Sequence, residues 1–287
     1  MKFWMKWTAI VFGGVLGVAA FGVAALYIAS QAIIGRTYPL PAPTFHSHAT
    51  PDAIVQGEHL TQIAGCIDCH KRDLTGALFD DVPGSAVWSR NLHGAGRTFS
   101  DADFDRAIRH GLHADGTSVF IMPSDCYAAF RDDELSAIVS YLRSLPPKGE
   151  EHPAAHLGLA ARLSVLRGDF KPDSAWLALD KLPLDLGPAT AQGRHLTQIA
   201  CAECHDTSLN GTPDDPYLPT PNLSLVASYS REDFVHFMRT GKAAGNRELP
   251  VMSATARLRF SHFTGAELSE LYDYLSARGR KLAENGK

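Results

Sequence analysis

The chain has 287 residues, enough for about two domains of ordinary size, and a formal net charge of −4. That balance excludes a global basic field of the kind that recruits nucleic acid. The charge is unevenly placed: residues 1–52 carry +2, residues 53–148 carry −4, residues 149–188 carry −2, and residues 189–287 are neutral.

Ala9 to Ala29 is a run of 21 residues without a charged or strongly polar side chain. As a helix, a run of that length crosses a hydrocarbon core of roughly 30 Å. Trp4, Trp7 and Tyr27 lie near its ends, where aromatic rings favour the membrane interface. Lys2 and Lys6 precede the run and Arg36 follows it, which places the N-terminus in the cytoplasm and the remainder outside. The competing reading is a cleaved signal peptide, whose apolar region is normally about 7–15 residues. Here the apolar character continues to Ile34, interrupted only by Ser30 and Gln31, so we read residues 1–35 as an uncleaved transmembrane anchor. Gly13 and Gly17 have small-xxx-small spacing, which packs helices together but also arises by chance in a Gly/Ala-rich span. Residues 36–51, with Pro39, Pro41 and Pro43, read as an extended tether in which His46 and His48 are solvated.

Thr50-Pro51-Asp52 reads as a helix start, with Thr as N-cap and Pro in the first turn, and the helix runs into Cys66. A loop of about thirty residues leads to Asn91-Leu92. Ser100 to Asp103 opens a second helix, with Phe104, Ala107 and Ile108 on one face, and Gly111 stops it. A second loop carries Met122-Pro123. Asp132 to Leu145 is strongly periodic and ends at Pro146-Pro147.

The plan then recurs. A helix leads into Cys201, a loop ends at Asn222-Leu223, and Ser230 opens a helix that stops at Gly241. A loop holds Met252, and Thr264 to Glu267 is a capping box for a last helix ending near Gly279. We expect an all-α fold: two tandem domains, residues 52–148 and 189–287, after the N-terminal transmembrane helix. Residues 149–188 form an interdomain linker. Ala155 to Arg167 is its short amphipathic helix, expected with Trp176 and Leu177 to pack against one or both domains.

Each half contains one phrase. Residues 56–64 read Gln-Gly-Glu-His-Leu-Thr-Gln-Ile-Ala and are followed, after Gly65, by Cys66-Ile67-Asp68-Cys69-His70. Residues 192–200 differ only in having Arg194, and lead directly into Cys201-Ala202-Glu203-Cys204-His205. Cys-x-x-Cys-His is the attachment pattern of a c-type haem: two thiols add to the haem vinyl groups and the adjacent His reaches the iron. A zinc site built from both Cys pairs would join segments more than a hundred residues apart and leave both His residues unexplained. The expected cofactors are therefore two covalently attached haem c groups, on Cys66 and Cys69 and on Cys201 and Cys204, with His70 and His205 as axial iron ligands.

The second axial ligand decides whether such an iron carries electrons or does chemistry. Met122 and Met252 lie 52 and 47 residues after His70 and His205, between the middle and last helices of each half. They are our candidates. The rivals are His93, His110 and His113 in the first half, and Met238, His236 and His262 in the second. Asn91 and Asn222 suit propionate or backbone contacts, and Trp88 and Tyr127 suit a haem edge. The fifth cysteine, Cys126, is either a thiolate ligand or a small buried hydrophobe.

These residues resemble the membrane-anchored dihaem class I cytochrome c proteins that serve as cytochrome subunits of bacterial periplasmic dehydrogenases. The resemblance rests on Gly57 to His70, Asn91-Leu92, Phe99 to Asp103, Arg106 to Gly111, Met122-Pro123, Asp132 to Leu135 and Tyr141 to Pro146. It implies two small all-α cytochrome c domains whose axial methionines match Met122 and Met252. It also implies electron transfer at the periplasmic side of the bacterial inner membrane. Electrons would pass from a dehydrogenase subunit or quinone-side complex to a soluble cytochrome or terminal oxidase. The alternative is a haem enzyme, such as a dihaem peroxidase or thiosulfate dehydrogenase, for which Cys126 is the hint. A redox or gas sensor would be expected to carry an output domain.

Overall fold

A computed structural model describes residues 2–79, 82–172, 182–215 and 218–285; Trp176 and Leu177 lie outside the described residues. Helix α1 (Lys2–Ile34) is exposed along its apolar length. Among the described residues it is the only helix long and apolar enough to cross a membrane.

Two helical lobes follow. The first contains α2 (Pro51–Ile63), α3 (Cys66–His70), the two-residue strands β1 (Leu78–Phe79) and β2 (Val87–Trp88), α4 (Leu92–Thr98), α5 (Asp101–His110), α6 (Ser124–Tyr127) and α7 (Asp132–Ser144). Helix α8 (Leu159–Arg167) lies in the linker. The second lobe contains α9 (Ala191–Ala200), α10 (Ala202–His205), α11 (Arg231–Thr240), β3 (Lys242–Ala243), β4 (Arg247–Glu248), α12 (Met252–Leu258) and α13 (Gly265–Asn285). The strands form two antiparallel ribbons, β1 with β2 and β3 with β4. The described fold is thus mostly helical with little sheet.

The helix starts follow local chemistry. Thr50 accepts from the Ala53 amide with Pro51 in the first turn, Ser100 and Asp103 form a reciprocal capping box, and Thr264 pairs with Glu267 in the same way. Gly111 and Gly241 end α5 and α11 in the left-handed conformation. Gly279 behaves differently. Helix α13 runs through it to Asn285, because Gly279 is a packing glycine: a Cβ there would strike the Ser224 carbonyl and Ala227.

In each lobe the first helix crosses the last. Helix α2 packs on α7, and α9 packs on α13. At the crossings Gly57 lies against the Ala137 carbonyl and Tyr141, and Gly193 lies against the Glu270 carbonyl and Tyr274. Neither site has room for a Cβ. Around the crossings Leu60, Ile63, Leu135, Ile138 and Val139 are buried in one lobe, and Leu196, Ile199, Leu268, Leu271 and Leu275 in the other. Each such side chain contributes roughly 1.5–3 kcal/mol when fully buried. Most of the buried apolar residues form one continuous cluster through both lobes.

Two connecting segments differ from the sequence expectation. Residues after α1 are extended, as their prolines require, yet they lie on the first lobe. The Tyr38 amide donates to the Gly116 carbonyl (2.8 Å), Phe45 is buried, and Ser47 hydrogen-bonds Asp101. Helix α8 packs against α1, and starts at Leu159, since residues before it pair with Ala86 through His156.

Candidate functional site

Both Cys-x-x-Cys-His segments form a single helical turn, α3 and α10, with the same surroundings. The His70 ring donates from Nδ1 to the Arg90 carbonyl (2.7 Å), and His205 donates from Nδ1 to the Pro221 carbonyl (2.9 Å). A carbonyl can only accept, so each Nδ1 carries the proton and each Nε2 keeps its lone pair for a metal. Burial pushes both imidazoles below their ordinary pKa, which favours the neutral, ligating form.

The backbone after each motif is also repeated. Lys71 and Asp206 take positive φ, as do Leu74 and Leu209 three residues later. The Gly76 amide returns to the His70 carbonyl (3.0 Å), and the Gly211 amide to the His205 carbonyl (2.8 Å). The Ser89 hydroxyl donates to the Cys69 carbonyl (2.7 Å), and the Thr220 hydroxyl to the Cys204 carbonyl (2.6 Å). Positive φ at a leucine is strained. Its occurrence at both buried leucines marks the loops as two copies of one clamp on the motif.

No disulfide joins any of the five cysteines. Burial raises Cys66 and Cys201 to about 12 and Cys69 to about 11, so none stands as a reactive thiolate. Two paired thiols beside an imidazole with its Nε2 lone pair free for iron fit a covalently attached haem at each motif.

Met122 precedes α6 and Met252 opens α12, so the second methionine lies in a helix rather than a loop. Each is partly buried against the core. Met238 is buried inside α11. His93 spends both ring nitrogens on carbonyls, of Pro146 (2.6 Å) and Asp73 (2.8 Å). Asn91 and Asn222 cap the segments that follow them, accepting from the His93 and Ser224 amides. Trp88 stacks on His152, and Tyr127 donates to the Ala64 carbonyl beside the first motif (2.8 Å).

The residues that join the two motifs were not evident in the sequence. Arg259 is 2% exposed. It donates to the carbonyls of Ile63 (2.9 Å) and Ala64 (2.8 Å), and its guanidinium pairs with Glu203 (3.0 Å) and Asp68 (3.5 Å). Asp68 and Glu203 are the equivalent variable residues of the two motifs. Burial disfavours the Arg259 charge, but Glu203, Tyr127 and Asp68 outweigh it and hold the guanidinium above its ordinary pKa. The space it enters exists because Gly65, the one residue inserted in the first phrase, takes φ +82 beside it; a Cβ there would meet the guanidinium. Around this bridge, His59 reaches Glu267 and His195 reaches Glu134 across the lobe boundary. The signal for these pairs was present: each His lies in the repeated phrase and each Glu is the third residue of a last helix.

The pseudo-symmetry breaks at one place. Eight residues before the capping glutamate, one lobe has Arg259 and the other Cys126. The flanking aromatics match, Tyr127 with Phe130 (5.5 Å) and Phe260 with Phe263 (5.7 Å). Cys126 is buried at a cleft of about 250 Å³ lined also by Arg194, Gln198 and Ala202 of the second lobe.

No protein-family model matches the chain. Curated homologues are cytochrome c subunits of bacterial dehydrogenases. The fructose dehydrogenase cytochrome subunit of Gluconobacter japonicus is 26% identical over 284 residues, covering 88% of this chain and 56% of that protein. The gluconate 2-dehydrogenase cytochrome c subunit of Pantoea cypripedii is 22% identical, covering 81% and 61%. The cytochrome c subunit of the quinone alcohol dehydrogenase of Gluconobacter oxydans (strain 621H) is 24% identical, covering 81% and 56%. The chain therefore spans somewhat more than half the length of the relatives it matches. As cytochrome c subunits, these relatives carry covalently bound haem c.

Proposed function

We propose that this chain is a membrane-anchored electron carrier with two covalent haem c groups, one in each of two cytochrome c domains, residues 52–148 and 189–287. Cys66 and Cys69 attach one haem, and Cys201 and Cys204 the other. His70 with Met122, and His205 with Met252, are the axial ligands. When bound, the haems supply one-electron redox chemistry with no bond to substrate.

The observation that carries this reading is the duplicated orientation of His70 and His205. In both copies a backbone carbonyl takes Nδ1, and a hydroxyl clamps the neighbouring cysteine carbonyl. Clamped motifs suit a carrier, because a rigid coordination shell changes little between redox states. The dehydrogenase relatives support a redox partner: a dehydrogenase subunit or quinone-side complex as donor, and a soluble cytochrome or terminal oxidase as acceptor. Helix α1 supports placement in the inner membrane with both lobes on the periplasmic side.

The haem-enzyme alternative needs an open or thiolate-ligated iron. Cys126, the sequence hint for it, is buried in the hydrophobic core, where a small apolar side chain suffices. The test is spectroscopic: two haems per chain by haemochrome assay, both low-spin when oxidised and neither binding cyanide at once. A high-spin or rapidly cyanide-binding iron at both sites rejects the carrier reading.

A further inference from the structure

Helix α8 belongs by sequence to the linker, but it is built onto the end of α1. Arg162 makes the joint. Its Nη1 donates to Ser30 Oγ (2.9 Å), its Nη2 to Gln31 Oε1 (3.2 Å), and its guanidinium lies 4.4 Å from the centre of the Tyr27 ring. The same guanidinium donates from Nε to the Leu157 carbonyl at the entry to α8 (3.1 Å). Ser30 is completely buried, although the apolar window of α1 is otherwise exposed. Leu26, Tyr27, Ser30, Ile33 and Ile34 are the covered positions at this end of α1, spaced three and four apart on one face.

The level of this joint follows from lengths. Helix α1 has 33 residues, so at about 1.5 Å per residue it is on the order of 50 Å long, against roughly 30 Å of hydrocarbon. The run free of charged and strongly polar side chains ends at Ala29, with Ser30 and Gln31 next. Tyr27 to Gln31 therefore stand at the boundary between acyl chains and head groups, and α8 lies beside them.

Helix α8 is shaped for that boundary. Ala161 and Val165 face inward and are buried. Leu159 and Leu166, seven residues apart on one face, are 49% and 37% exposed. The helix has Arg162 and Arg167 and no acidic residue. We propose that α8 is a lipid-facing interfacial helix. Leu159 and Leu166 enter the head-group boundary of the same bilayer that holds α1, Arg167 faces phospholipid phosphates, and α1 is retained in the mature protein. A removable leader has no use for a buried hydrogen-bonded partner in the folded chain. The inference rests on the membrane-anchor part of the proposed function and is independent of the haem assignments.

It also says which face of the first lobe looks at the membrane. Phe170, just beyond α8, packs on Phe120 (5.0 Å), two residues before Met122. Tyr38, just beyond α1, binds Gly116 in the same loop region. Both ends of the joint thus fasten to the stretch that carries Met122, and place it nearest the lipid.

The test is photo-crosslinking of the full chain in phosphatidylcholine vesicles that contain a diazirine-tagged phospholipid, with adducts mapped by mass spectrometry. Expected are adducts on residues 159–167 as well as on α1, with the α1 peptide present in the mature protein. In the Leu159→Asn, Leu166→Asn variant, adducts on α8 fall while those on α1 persist. Adducts confined to α1 overturn the lipid-facing role of α8. Absence of the α1 peptide from the mature chain overturns the whole joint, and haem content, measured separately, is unaffected by either result.

Discussion

His59 donates to Glu267 at 2.8 Å across the lobe boundary, and His195 donates to Glu134 at the same distance in the opposite direction. Each glutamate also caps its own last helix, Glu134 through the Arg131 amide and Glu267 through the Thr264 amide. One carboxylate therefore fixes a helix start and holds the neighbouring lobe.

This arrangement sets an acid limit on stability. Burial pushes the Glu134 carboxyl up, but hydrogen bonds from His195 and the Arg131 amide outweigh it and hold the group below its ordinary value. Glu267 is held down in the same way by His59 and the Thr264 amide, again against burial. A depressed carboxyl contributes stability that is fully present above its unfolded pKa and lost as pH falls through its folded one. Thermal unfolding followed from about pH 6 to about pH 3 is expected to show a falling Tm below about pH 4.5. The Glu134→Gln, Glu267→Gln variant is expected to start lower and fall less. An equally steep fall in that variant assigns the acid sensitivity to other carboxyls.

Arg259→Met removes the guanidinium between the motifs and leaves Asp68, Glu203 and the Ile63 and Ala64 carbonyls facing one another. Breaking a buried pair in this way costs about 3–5 kcal/mol. Denaturant unfolding reads the loss. A redox titration of the same variant is expected to show lower midpoint potentials, because a fixed positive charge near both motifs disfavours the oxidised, more positive form of each site. Unmoved potentials would reduce Arg259 to a structural fastener.

Gly57→Ala and Gly193→Ala each force a methyl into a backbone carbonyl at a helix crossing. Each is expected to destabilise by about 1–3 kcal/mol or more, the range for overpacking. Gly265→Ala, where nothing lies within 4 Å of the added Cβ, is the control and is expected to be neutral. Equal Tm values for all three variants would remove the crossings as the organising contact of the lobes.

The axial assignment predicts separable losses. Met122→Leu and Met252→Leu are each expected to keep both haems attached while turning one iron high-spin and open to cyanide. Cys126→Ser is expected to leave spectra and potentials unchanged. Cyanide titration checks all three variants, and altered spectra in Cys126→Ser would revive the thiolate reading.

What was legible in the sequence was local. Thr50, Ser100 and Thr264 cap helices within three residues of themselves, and their chemistry needs no tertiary knowledge. Gly111 and Gly241 were readable as stops for the same reason. Gly279 was misread because a stop glycine and a packing glycine are the same letter, and only the approach of Ser224 tells them apart. The periodicity of the linker helix did not show that α1 packs against it, with Ala161 and Val165 buried while Leu159 and Leu166 stay exposed. Arg259 was invisible because its carbonyl partners lie 196 and 195 residues earlier in the chain. No pattern of spacing points across that distance.

The Arg259 bridge has a consequence for how the duplicated halves can be used. Neither half is a spare part. Cut free, the first would lose the guanidinium from its Ile63 carbonyl and keep only Tyr127 on Ala64, and the second would hold a desolvated cation with Glu203 as its one remaining acidic partner. A chimera with two copies of the first half would set Cys126 where the arginine belongs and leave two acidic residues unopposed. Each half is therefore expected to fold less stably alone than within the whole chain, which unfolding of the separately expressed halves would measure.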